Sequence, residues 1–521
     1  MEHHNRWGGF DRINGFGGNG HDGEHEQAAH SPNSGTEAND YLIQKYPDIA
    51  EKFGSPLHME KAKDGSLRIK NFNDDFFAAA LGSEGLTVFV VEENTFCCYS
   101  AATGIFEPAR PEQLKARLSR LLYSVVQACP ASPGIEALEF SFRKTSRLNG
   151  IIDRAKGLLA VPVGYFEQKH GEAIPVKNGV VRLSDRALQS HSPGYKLRRT
   201  LAVPYDPKAR CPEFIGVLLK PALPDDDIEL LQRWFGLVLT GQNFAQVILL
   251  LTGTAGGGKG TLARILRLLL GRENVIALRA NLLQSRFELG RMLNRTLVYG
   301  ADVPTNFLNT PGAGVLKAIV GGDPSAVEIK GSNARPEMTL LLNVLITANT
   351  RLRLRLEGGQ DPAAWRRRLR IIQFNNRPPA KPVPDLAEQL IQDEGAGILN
   401  WAIDGLEKLR ADNYNLRLNK RQQNLVEDML AESDSVHRFV LGCLRKGSVM
   451  TSLTVTQCYT EYLDYCSAQG WNAVSRNEFG SQLPSLVSHG LGTAVRNDIP
   501  GENGKQQHGF RGLVCQRPKA H

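Results

Sequence analysis

The chain has no cysteine pair spaced as a metal-binding knuckle and no Cys/His grouping at ligand spacing: Cys97 and Cys98 are adjacent and the rest of its 8 cysteines are scattered. That pattern excludes a structural zinc module and a disulfide framework, and suits reduced thiols in a cytosol. Long apolar runs are also missing, as is an apolar N-terminal segment of the export type. Neither membrane insertion nor secretion is therefore expected, and the protein reads as soluble and cytoplasmic. Charge of one sign is not dominant either, with 62 Lys and Arg against 54 Asp and Glu, a net +8. A modest basic excess suits a phosphate-bearing partner and equally an ordinary solvated surface. The first forty residues lack core-forming side chains and any helical or strand period, so residues 1–40 are expected to be disordered. Five of the 12 histidines fall there, His3, His4, His21, His25 and His30; metal capture is conceivable, a solvated polar tail the plainer reading.

What the chain does have is length and apolar content: 521 residues, 41% hydrophobic, enough for about two to four domains. Its most informative stretch is Val247 to Thr261, VILLLTGTAGGGKGT, where an apolar run stops at glycines, a lysine and a threonine. The pattern predicts a strand, a phosphate-cradling loop and a helix, with Gly253, Thr254, Ala255, Gly256, Gly257, Gly258, Lys259, Gly260 and Thr261 as the nucleotide-binding set. Glycines allow the tight turn, backbone N–H groups face the phosphates, and the lysine reaches their outer charges. Ser or Thr is expected after the lysine to hold Mg²⁺, but Gly260 stands there and Thr261 follows. A glycine-rich turn that only joins a strand to a helix is the alternative.

Upstream, residues 41–215 read as an accessory α+β domain. They hold a hairpin turning at Glu92 to Asn94, a helix over 111–126, and a small β unit broken at Asn178-Gly179 and Ser192-Pro193-Gly194. A boundary is expected at Cys211-Pro212, then a helix over 225–240 packing on the nucleotide sheet. Within residues 216–380, three more apolar strands run into Asp302, into Asn349 and up to Phe374, describing a mostly parallel sheet whose carboxyl edges converge on one site. Residues 381–434 read as a helical connector. In 435–521, Ser435 caps a helix carrying Val436, Phe439, Val440, Cys443 and Leu444; a second helix ends near Gly470, and a third opens with a capping box at Ser475–Glu478. Two strands follow. This suggests a winged helix exposing Arg476, Asn477 and Gln482, with a structural or subunit-contact role as the other reading.

The order of these motifs resembles the superfamily 3 helicases, and more closely the helicase part of the phage and plasmid primase/helicase family that includes a poxvirus nucleoside triphosphatase. About 450 residues carry the likeness: NGVVRL, HSPGYKL…LAVPYDPKARCPEF, the phosphate loop, LKAIVGGDPSAVEIKGSN, LITAN, WRRRLRIIQF and HGFRGL. It implies an α/β fold with a P-loop AAA+-like core. It also implies ATP and Mg²⁺ as cofactors, Asp302 as the second nucleotide motif and Asn349 as the γ-phosphate sensor. From it follow an arginine among Arg366, Arg367 and Arg368 that completes a neighbour's site, Arg368 ahead of Arg367, and hence a ring, expected to be a homo-hexamer. The hairpin tip at Lys330, with Ser332, is expected to face single-stranded DNA.

The chemistry runs in parallel. Phosphoanhydride hydrolysis needs clamped phosphates, a held Mg²⁺, an oriented water and positive charge in the transition state. Lys259, the metal ligands Asp302 and Thr261, then Asn349 and Arg368 or Arg367 are the residues expected in these roles. Two departures stand out: Gly260, and Ala301-Asp302-Val303-Pro304 where relatives offer a glutamate, often beside another acid. RLRLRL at 351–356 replaces a proline-containing turn and puts three arginines on one face of an extended segment, toward a channel, an interface or solvent. The expected function is an ATP-dependent replicative helicase of a phage, plasmid or integrative element, acting on single-stranded and forked DNA with primase or host replication proteins as possible partners. No primer synthesis by this chain is expected. The rivals are a DNA-binding initiator with weak or absent ATPase activity and a P-loop small-molecule kinase.

Overall fold

The computed structural model of the chain describes residues 35–516 except 84–85, 130–131, 167–172, 286, 329–336, 353, 355–361, 377, 379–380, 382, 434, 470 and 502–503. The five N-terminal histidines lie outside the described residues. The chain divides into two compact units, residues up to 84 with 110–159, and 85–109 with 160 onward.

In the first unit, α1 (Gly35–Lys45) and α2 (Pro47–Phe53) precede the antiparallel pair β1 (Leu57–Lys61) and β2 (Leu67–Phe72), followed by α3 (Asp74–Ser83), α4 (Pro111–Gln127), α5 (Ile135–Ser141) and α6 (Thr145–Leu158). Disorder was expected up to residue 40, yet α1 begins at Gly35. Asn39 explains this: its side chain donates to the Leu57 carbonyl at 3.3 Å and accepts from the Leu57 amide at 2.7 Å, pinning a helix too short to stand alone.

The second unit opens with β3 (Thr87–Val90), β4 (Thr95–Ser100) and β5 (Ile105–Ala109), the first turn closing from Asn94 to Val91 at 3.1 Å, where the sequence placed it. β6 (Ala160–Val161) pairs parallel with β3. The antiparallel strands β7 (Ala173–Val176), β8 (Gly179–Arg182) and β9 (Leu188–Gln189) come next. The β3–β6 pairing and a buried ion pair between Glu93 and Arg198 tie the hairpin to the chain that leads into the core.

That core contains α7 (Asp225–Leu239), β10 (Ile248–Gly253), α8 (Lys259–Leu270), β11 (Val275–Ala277), β12 (Leu297–Gly300), α9 (Pro311–Gly321), the hairpin strands β13 (Pro324–Ala326) and β14 (Glu337–Thr339), β15 (Asn343–Thr347), α10 (Pro362–Arg368), β16 (Leu369–Phe374), α11 (Leu386–Ala411) and α12 (Lys420–Ser433). Its sheet runs β11-β12-β15-β10-β16 with every pairing parallel. The apolar stretches of β10 (248–251) and β15 (344–346) are fully buried because helices cover both faces. Leu249 and Leu251 pack with α7, α8 and α11, while Leu250 and Val344 pack with α9 and Trp365. Besides meeting the sheet, α7 lies against α11 closely enough that a Cβ on Gly236 would stand 2.3 Å from the Leu406 amide, and one on Gly405 2.1 Å from the Gln232 carbonyl.

The tail comprises α13 (Ser435–Cys443), β17 (Leu444–Lys446), β18 (Ser452–Thr454), α14 (Val455–Ala468), α15 (Arg476–Leu491), β19 (Arg496–Pro500), β20 (Gln506–Arg511) and β21 (Leu513–Cys515). Three helices share a core with a β18-β20-β19 sheet, and β17 pairs with β21. Leu444 was expected on the first helix; it begins β17 instead, because its backbone pairs with Cys515. Ser475 caps α15 as expected, accepting from the Glu478 amide at 3.4 Å.

Candidate active site

The loop after β10 is built from conformations open to glycine. Gly253, Gly256 and Gly258 have φ of +118°, +77° and +103°, in the left-handed region that side chains resist. At Gly253 a Cβ would also sit 2.2 Å from the Phe374 carbonyl, so β16 presses directly on the loop. Thr254 is held by its amide to that same carbonyl at 2.8 Å. Thr254, Ala255 and Gly256 are exposed, and Gly257 is half-buried.

Lys259 opens α8. Its ammonium group donates to the carbonyls of Gly253 at 2.8 Å and Thr254 at 2.7 Å, with the residue only 4% exposed. Burial lowers its pKa, and the Asp302 carboxylate acts in the opposite direction. Gly260 faces open space, with nothing within 4 Å of a Cβ built on it, and Thr261 is half-buried. Glycine is thus not sterically required at 260.

Asp302 and Asn349 come together at the carboxyl edges of β12 and β15. Asn349 Nδ2 donates to Asp302 Oδ1 at 3.1 Å. The Asp302 backbone adopts a φ of +42°, uncommon for a residue with a side chain. It is anchored by its amide donating to Thr347 Oγ1 at 3.2 Å. Thr347 was not foreseen as part of this cluster. Two places before Asn349 in a strand it reads as core filling, and only the parallel pairing of β12 with β15 gives its hydroxyl a partner.

The three arginines diverge. Arg366 pairs with Glu427 of α12, Nη2 to Oε2 at 3.0 Å. Arg368 is 7% exposed and donates back to the Ala364 carbonyl at 3.1 Å. Its pKa is lowered by burial and by Arg367, with Asp323 opposing. Arg367 is exposed.

The hairpin's base exists as the antiparallel β13–β14 pair, Pro324 opposite Thr339; Lys330 and Ser332 at its tip lie outside the described residues. In the RLRLRL stretch Leu352 and Leu354 are buried in the core cluster beneath α9 and Arg351 is half-buried, while Arg353 and Arg355 lie outside the described residues. On α15, Arg476, Asn477 and Gln482 are exposed, and Arg476 donates to Thr456 Oγ1 of α14 at 2.7 Å. Among the described residues no group of three or more His, Cys, Asp or Glu side chains converges as a metal centre, and no helix is long and apolar enough to cross a membrane.

Two families match parts of the chain. Residues 134–220 match one described as "D5 N terminal like". Residues 251–368, from within β10 to Arg368, match a family of unknown function, DUF5906. Among solved structures, three apo forms of the NrS-1 C-terminal region are similar to this chain at 13–14% identity, covering 84% of it and 98% of themselves, with TM-scores of 0.45 to 0.46.

Proposed function

We propose that the chain is an ATP-dependent replicative DNA helicase of a phage, plasmid or integrative element. The observation that carries this reading is the Asp302–Asn349 pair at the sheet edge that also bears the glycine loop and the buried Lys259. Support comes from the parallel order β11-β12-β15-β10-β16, in which the loop strand lies beside β15, the strand that leads to Asn349, and from the D5-like segment upstream.

On this reading the loop amides and Lys259 clamp the β- and γ-phosphates, and Lys259 leaves the loop carbonyls to do so. Asn349 orients the attacking water from its side-chain oxygen while its amide group stays on Asp302. A metal site of one carboxylate suits Mg²⁺, which usually takes one or two carboxylates together with substrate phosphates; Asp302 and Thr261 would hold it, and it would neutralise phosphate charge. Arg367, exposed where Arg366 is paired and Arg368 buried, becomes the stronger candidate to complete a neighbour's site in a homo-hexameric ring. Lys330 and Ser332 are assigned to single-stranded DNA, and the tail, as a winged helix, presents Arg476 to duplex or fork.

A second reading, an initiator with weak or absent hydrolysis, is favoured by Gly260 and by the lack of a second acid beside Asp302. A small-molecule kinase would have no use for the hairpin or the tail. The test is ATP hydrolysis with and without single-stranded DNA, followed by strand displacement on a forked duplex. DNA-stimulated hydrolysis with unwinding is expected, lost about 100–1,000-fold in Lys259→Ala and strongly reduced in Asp302→Asn. Hydrolysis unchanged in both variants would remove the site. Neither activity in the parent chain would favour the initiator, and phosphate transfer to a nucleoside monophosphate the kinase.

A further inference from the structure

At the opposite rim of the parallel sheet, where its strands begin, a cavity of about 270 Å³ opens between the segment leading into the core and the residues that precede β10, β12 and β15. It lies a whole strand away from the phosphate loop, about 20 Å for the six residues of β10. The charged side chains lining it are Lys196, Arg198, Arg199 and Arg295 against Glu92 and Glu93.

Arg198 and Glu93 neutralise each other in a buried pair, Nη2 to Oε2 at 2.9 Å. The remaining groups are unbalanced. Arg199 has neutral acceptors only, the carbonyls of Arg295 at 3.0 Å and Gly241 at 3.3 Å and Thr296 Oγ1 at 3.4 Å. Its burial lowers its pKa to about 10, with Arg198 adding to the effect. The Nε of Arg295 and the Oε2 of Glu92 are buried with no hydrogen-bond partner. Lys196, exposed at the rim, stands 4.3 Å over the Tyr165 ring. A half-buried guanidinium held only by neutral acceptors keeps an uncompensated charge, and an anion is the ligand that would balance it. The cavity falls just below the ~300–1,000 Å³ of drug-sized sites, so the anion must be small.

We propose that this cavity is a second ligand site, separate from the phosphate loop, that takes a small phosphate-bearing anion of pyrophosphate size. Calorimetric titration of the full-length Lys259→Ala protein with pyrophosphate tests it, since the readout does not depend on ATP hydrolysis or on the helicase reading. Saturable binding is expected, weakened at least about tenfold in Lys259→Ala/Arg199→Gln. Because Arg199 also bridges backbone carbonyls, Lys259→Ala/Lys196→Gln serves as the second variant; it alters only a rim residue and is expected to weaken binding several-fold. No heat at millimolar pyrophosphate, or equal affinity in both double variants and the Lys259→Ala parent, would overturn the proposal. Displacement of pyrophosphate by a short oligothymidylate would overturn it in favour of a nucleic-acid backbone.

Discussion

Gly260 stands where a phosphate loop ordinarily has Ser or Thr after its lysine, and the open space around it allows a direct experiment. Gly260→Ser places a hydroxyl where a magnesium ligand is expected and removes a helix glycine, so it should raise stability by about 0.5 kcal/mol and sustain or raise hydrolysis. Thr261→Ala in the natural loop should abolish hydrolysis, and Gly260→Ser should rescue it; failure of that rescue would remove Thr261 from the metal role. Glu288 contributes to acid stability. Glu288 has a fully buried side chain bonded by Arg279 and Arg291. Burial alone would raise its pKa, but the two guanidinium groups outweigh it and the carboxyl titrates below its ordinary value. Its stabilisation is therefore complete above the ordinary glutamate pKa of about 4.3 and is lost as pH falls through the lower folded value. Glu288→Gln should cost about 1–3 kcal/mol at pH 7 and flatten the acid limb of a melting profile taken below about pH 4. The strand–loop–helix form around Lys259 was legible in the sequence because glycines there interrupt an apolar run just before a helical period. The Thr347 anchor and the Arg366–Glu427 pair were not, since their partners are 45 and 61 residues away.

Helix contacts follow the same division. The amphipathic period of α7 was readable, and so was its burial, but not that its closest neighbour would be α11. Two isolated glycines in helical sequence look only like weak points. In the fold they are the contact itself, so Gly405→Ala should destabilise by about 1–3 kcal/mol or more, read as a lower denaturation midpoint. Gly490, with open space where a Cβ would go, provides the control, and Gly490→Ala should be neutral or stabilising. Four strands of the parallel sheet, β10, β12, β15 and β16, were legible as apolar runs between polar ends, and the three-residue edge strand β11 was not. β17, β18 and β21, three residues each, were not, because a strand that short has no measurable period and exists only through its partner.

For the whole assembly, the proposed ring makes a mixing experiment decisive. If Arg367 serves the neighbouring subunit, Arg367→Ala and Lys259→Ala should each be inactive alone. Mixed in equal amounts and allowed to reassemble, they should regain a fraction of hydrolysis from interfaces that hold one intact residue of each kind. No recovery, with both variants assembling normally, would place the arginine in its own subunit's chemistry or in none. Unwinding makes a separate demand, and Lys330→Ala should spare basal hydrolysis while abolishing strand displacement.

The hairpin is spliced into the chain between α9 and β15, and only residues 340–342 separate the end of β14 from the start of β15. β15 is five residues long, about 16 Å, and its far end leads to Asn349. The hairpin base thus joins one end of a central strand, and two residues beyond the other end Asn349 bonds the Asp302 carboxylate. On the proposed helicase reading, one strand held on both sides by β10 and β12 would link the hairpin to the phosphate site, so a substitution that loosens β15 should uncouple unwinding from hydrolysis.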